Sequence, residues 1–137
     1  MTQITPTQPT PAMPSEVVPW GFHAIMDCSN CDLAKMTDKA NIQAWLGALV
    51  TAAGFTAVGA PVIELTGTDL SQVGYTAVQL IVPSAITAHF VDNTRQIYID
   101  IFSCVQFDPI AAESSIKAFF GADVSVKKIL IPRNAAA

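Results

Sequence analysis

One short stretch of the chain, Gly74–Cys104, gathers four kinds of reactive side chain. They are the hydroxyl of Ser84, the imidazole of His89, the carboxylate of Asp100 and the thiol of Cys104. A hydroxyl can attack a carbonyl, an imidazole can move a proton and a thiol can give one. Each residue also has a plain structural use. A serine after a proline, as in Pro83-Ser84, is a common turn residue. A histidine in an apolar strand can be a satisfied core residue, and a strand-end cysteine packs as a small hydrophobe. Order and spacing therefore say more here than residue type.

The remaining cysteines, Cys28 and Cys31, form a C-x-x-C. A structural zinc site needs two further ligands, and His23 and His89 do not supply a recognisable second half. No metal is expected. The pair reads as two half-buried thiols near the end of a strand. An odd total of three cysteines, with no secretion signal, argues against a disulfide framework.

The elements that must position these groups follow from apolar periodicity and punctuation. Phe22–Cys28 reads as a first strand. Thr37 or Asp38 caps a helix to Ala53, with Ile42, Trp45, Leu46, Leu49, Val50 and Ala53 on one stripe and Gly54 at its end. A strand is expected over Thr56–Leu65, a polar loop over Thr66–Gln72 and a strong strand over Tyr75–Val82. A short strand runs from the Pro83-Ser84 junction through Phe90. A turn at Asp92-Asn93-Thr94 leads into a strand over Gln96–Ser103. Asp108-Pro109 opens a second helix that presents Ala112, Ile116, Phe119 and Phe120 and stops at Gly121. Val124–Pro132 is the last strand. The fold class is α+β, an antiparallel sheet with two helices on one face. In the strand Gln96–Ser103, Ile97, Ile99 and Ile101 point to the helices, and Tyr98, Asp100, Phe102 and Cys104 to the other side. That second face suits a pocket or a second sheet.

Composition narrows the function. The 137 residues fit one domain, with a Pro/Thr-rich tail expected to be disordered over 1–19, a core over 20–132 and a tail over 133–137. Charged residues are 13% and hydrophobic ones 51%, which predicts surface hidden in a homodimer or larger assembly. A net charge of -4 and the lack of any basic cluster beyond Lys127-Lys128 exclude nucleic acid as a partner. Residues 40–63 carry no charge, but Asn41, Gln43, Gly54, Gly59 and Pro61 interrupt them, so no membrane span is expected. The start of the chain lacks a signal peptide, which makes the cytoplasm the expected location.

Ser84, His89 and Cys104 in this order, preceded by Gly21-Phe22-His23, Cys31-Asp32 and Gly74-Tyr75-Thr76-Ala77-Val78, resemble the bacterial-type S-adenosylmethionine decarboxylase family. The resemblance covers about residues 20–132. It implies a two-layer sandwich and a role in polyamine (spermidine) biosynthesis. It also implies a chain that cuts itself before Ser84 and turns that serine into a pyruvoyl cofactor. The pyruvoyl carbonyl would take the amine of S-adenosylmethionine, or of a related small molecule, and draw electrons as carbon dioxide leaves. His89 matches the processing histidine and Cys104 the proton donor to product. Thr76, Asn93 and Asp100 match positions around the substrate.

Several positions depart from the family pattern. The family's Glu-Ser-His is Pro83-Ser84-Ala85 here, its Thr-Trp-Pro-Glu after the histidine is Phe90-Val91-Asp92-Asn93, and an adenine-stacking aromatic is Leu70. Proline fixes its own φ and restricts Val82 before it. Two other readings therefore stand beside the decarboxylase. One is an uncleaved homologue that binds or regulates a partner. The other is an adenosylmethionine-binding protein with a changed reaction.

Overall fold

A computed structural model describes residues 18–135. Seven strands form one antiparallel sheet: β1 Gly21–Ser29, β2 Thr56–Ala57, β3 Val62–Thr66, β4 Gly74–Val82, β5 Ser84–Val91, β6 Gln96–Ser103 and β7 Ser125–Arg133. The order across the sheet is β2-β4-β5-β6-β1-β7, with β3 also on β4. Three helices accompany it: α1 Leu33–Met36, α2 Lys39–Ala53 and α3 Pro109–Phe120. The α+β layout, with the long helices on one face, is as the periodicity requires.

Capping sets the helix bounds. Asp38 accepts from the backbone N–H groups of Ala40 and Asn41, and Gly54 closes α2 in the left-handed conformation at φ 81°. Asp108 caps α3, and Pro109 fills its first turn, where no donor is needed. The apolar stripe of α2 buries Ile42, Trp45, Leu46, Leu49 and Val50. Trp45 packs edge-on against Phe90 of β5 and Phe120 of α3, at 6.1 and 5.2 Å between centroids, and donates to Ser115. Ile97, Ile99 and Ile101 of β6 lie beneath these helices, fully enclosed.

The structure differs from the expected elements in three places. The strand expected over Thr56–Leu65 is two short strands, β2 and β3, because Gly59 turns left-handed at φ 70° and Pro61 offers no donor. Gln79 reaches into that break and donates to the Gly59 carbonyl. The short helix α1 was not anticipated; Asp32 starts it by accepting from Ala34 and Lys35. The last strand runs through Arg133, which was assigned to the tail, since Arg133 pairs with Gly21. The tail expected over 1–19 lies outside the described residues up to residue 17.

Gly74 shows how tightly β4 enters the sheet. A Cβ there would stand 1.6 Å from the Phe90 carbonyl oxygen, so only glycine lets β4 start against β5. Among the described residues no helix is long and apolar enough to cross a membrane.

Candidate functional site

The face of the sheet away from the helices carries Thr76, His89, Asp100 and His23; Ser84 pairs with the core residue Ile81, and Asn93 is exposed in the β5–β6 turn. Strand register fixes which groups are neighbours. Thr76 faces His89, Thr87 faces Asp100, His89 faces Tyr98 and Ala85 faces Phe102. On β1, His23 pairs with Phe102 and Ile25 with Asp100. The groups form two clusters, one at each end of β5.

The first cluster lies where β5 begins. β4 and β5 are joined through Val82 and Pro83, with Ile81 paired to Ser84 and a cis bond before Pro83. Ser84 is half-buried and has φ 106°. That region favours glycine, so a serine there is held in strain by its surroundings. Cys104 follows the end of β6, two residues after Phe102, which pairs with Ala85 at the start of β5. Cys104 is a free, half-buried thiol. Beside it, His23 Nε2 lies 2.9 Å from an Asp100 carboxylate oxygen. A carboxylate can only accept, so the ring donates there, and Nδ1 is free to accept from the Arg133 guanidinium at 3.5 Å.

The second cluster is at the other end of β5. His89 Nε2 lies 2.9 Å from the Gln72 carbonyl, which can only accept, so Nε2 carries the proton. Nδ1 then accepts from Thr76 Oγ1 at 2.9 Å. Thr76 Oγ1 also lies 2.6 Å from Thr66 Oγ1, which in turn reaches the Gly74 carbonyl at 3.4 Å. The loop between β3 and β4 thereby clamps the imidazole. Asp92 sits next to it with one carboxylate oxygen enclosed and, among the described residues, without a hydrogen-bond partner. Loss of solvent pushes the Asp92 carboxyl above its ordinary value, and His89 offsets part of that rise.

The structure thus places Ser84 and Cys104 at one end and His89 with Thr76 at the other. Five residues of extended chain separate Ser84 from His89, about 16 Å at the usual strand rise. Asp100 belongs with His23, and Asn93 joins neither cluster. Thr66, the Gln72 carbonyl, Asp92 and Arg133 were not anticipated. The divergent loop gave no sign of the first two, Asp92 read as a turn residue, and Arg133 was counted as tail.

Cys28 and Cys31 point to the core. Burial pushes Cys28 up to about 12, with the neighbouring Cys31 adding to it, and pushes Cys31 up to about 11. Such thiols are inert. No group of metal-ligating side chains exists among the described residues.

Comparison with known proteins agrees with this fold. The family described as S-adenosylmethionine decarboxylase matches residues 22–133. The crystal structure of the adenosylmethionine decarboxylase from Aquifex aeolicus VF5 superposes with a TM-score of 0.70 at 20% identity, covering 87% of this chain and 94% of that one. No curated protein matches the sequence.

Proposed function

The chain belongs to the S-adenosylmethionine decarboxylase family, and from that premise we propose that it is a divergent precursor that cleaves itself between Pro83 and Ser84. The observation that carries this reading is the backbone of Ser84, a non-glycine residue held at φ 106° on the tight β4–β5 connection. Strain at the scissile serine is what self-cleavage needs.

In this reading Ser84 Oγ bonds to the Pro83 carbonyl carbon, and the Pro83–Ser84 C–N bond breaks as the nitrogen takes a proton. Loss of the Ser84 α-proton then expels the Pro83 carboxylate. Water releases the nitrogen as ammonia and leaves the pyruvoyl group. That group supplies an electron sink for decarboxylation of S-adenosylmethionine or a related amino acid. Cys104, beside the same strand end, is the proton donor to product. Asp100, steadied by His23, and Thr76 border the substrate, with Asn93 at the rim. The reaction belongs to polyamine biosynthesis in the cytoplasm. A homodimer forms across the sheet face bearing Tyr98 and Asp100. A two-fold axis running across the strands would bring His89 of one copy towards Ser84 of the other, which answers their separation within one chain.

The clamped, distant His89 and the missing imidazole at Ala85 favour a second reading, an uncleaved homologue that binds or regulates a partner. Intact mass under denaturing conditions separates the two. Self-cleavage yields residues 1–83 and 84–137, the second blocked by a carbonyl that reacts with hydrazine, and Ser84→Ala abolishes both. Where the native chain stays whole, the double substitution Pro83→Glu, Ala85→His restores cleavage if the scaffold is competent. An intact double variant defeats the enzyme reading.

A further inference from the structure

The β1–β7 end of the sheet holds a pocket that the self-cleavage chemistry does not use. It has a volume of about 520 Å³ and is lined by Trp20, Phe102, Arg133, Asn134 and Ala135. We propose that this pocket is a binding site for a carboxylate carried on a flat apolar ring, with the carboxylate on Arg133 and the ring against Trp20 and Phe102.

Three features build the site. Gly21 makes its floor. A Cβ at Gly21 would stand 2.9 Å from the Phe102 ring, so the missing side chain lets that ring lie across the β1 backbone. Trp20 forms one wall, with its ring centroid 6.1 Å from that of Phe102 and the planes tilted by 36°. The Arg133 guanidinium lies 5.2 Å from the Phe102 centroid, a cation–π distance.

Arg133 is also aimed. His23 is pinned by Asp100 at Nε2 and presents Nδ1 to one Arg133 nitrogen at 3.5 Å. That contact uses one of five donors on a rigid fork. Among the described residues no carboxylate pairs with Arg133; Glu113 is taken by Lys117 and Lys128, and Asp100 accepts from His23. An oriented guanidinium over an aromatic floor selects a planar anion: the fork binds a carboxylate in two parallel bonds, and the walls take the ring. Acetate lacks the ring and benzamide lacks the charge. None of its lining residues is on the Val82–Ser84 turn, although Phe102 pairs with Ala85 beside it.

Tryptophan fluorescence of the full-length protein tests it. Trp20 is 62% exposed and Trp45 is fully buried, so a ligand in the pocket alters the first and leaves the second. Benzoate should give a saturable change, with affinity at least about tenfold above benzamide and acetate. Arg133→Gln should erase the preference of benzoate over benzamide, and Arg133→Lys should keep only part of it. Phe102→Leu should weaken both ring-bearing probes. Circular dichroism of each variant checks that the sheet is intact, and a replacement that unfolds the protein is read instead by benzoate titration of Arg133→Lys. Equal binding of benzoate and benzamide to the native protein overturns the proposal. So does a benzoate preference that survives Arg133→Gln in a folded variant, or the absence of saturation by either ring.

Discussion

Thr76 Oγ1 lies 2.9 Å from His89 Nδ1, and the Gln72 carbonyl takes the proton on the opposite ring nitrogen. Nε2 therefore carries a proton, both nitrogens are engaged, and the tautomer of the neutral ring is Nε2–H. Nitrogen chemical shifts of His89 should report that tautomer at neutral pH. Thr76→Val removes the donor without changing shape and should cost about 1–2 kcal/mol by denaturant titration. Thr76→Ser should cost less. An Nδ1–H tautomer would refute the assignment.

Ser84 makes a backbone prediction independent of catalysis. Neither Ser84→Gly nor Ser84→Ala can form a pyruvoyl group, so both give intact chains. Glycine is at ease at φ 106° and alanine is not. The glycine variant should be the more stable by about 1 kcal/mol, even after its greater unfolded-state entropy. Equal midpoints would show that the turn relaxes around the alanine.

Two glycines should respond in opposite directions. At Gly74 a methyl group meets the Phe90 carbonyl, a backbone atom that cannot swing aside. Gly74→Ala should cost more than about 4 kcal/mol or prevent folding. Gly47, inside α2, has nothing within 4 Å of its added Cβ. Gly47→Ala should stabilise by about 0.5–1 kcal/mol through helix propensity alone.

Asp92 gives a pH dependence with a defined sign. Its folded-state pKa is raised above the ordinary 3.8 by loss of solvent, so the native state favours the protonated form. Stability from this group is complete below 3.8 and falls as pH rises through the folded value. Asp92→Asn should accordingly stabilise at neutral pH, with a gain that vanishes in acid. A gain that persists unchanged below pH 3.8 would assign the effect to something other than ionisation.

The thiols should separate by reactivity. Cys28 and Cys31 are buried, with values near 12 and 11, whereas Cys104 is half-buried at a strand end. An alkylating reagent at about pH 8 should label Cys104 in the native protein and the other two only on unfolding. Rapid labelling of Cys28 or Cys31 would contradict their place in the core.

Much of this fold is legible in the sequence because local rules decide it. The alternation Ile97-Tyr98-Ile99-Asp100-Ile101-Phe102 sets both faces of β6, and Asp38, Gly54, Asp108 and Pro109 mark helix ends through their own side chains or backbone preferences. The spacing of Ser84, His89 and Cys104 points to the family for the same reason: it is a pattern along the chain. What those residues touch is decided elsewhere. Antiparallel pairing sends His89 to Thr76 on β4 and to a carbonyl of the preceding loop, and it sets Phe102, two residues before Cys104, opposite Ala85. The edge strand β7 delivers Arg133 to Phe102 across a glycine of β1. Such contacts join residues far apart in sequence, up to 110 positions between His23 and Arg133, and depend on strand order and register. Local propensity encodes the elements, and only the closed sheet fixes which of their side chains meet.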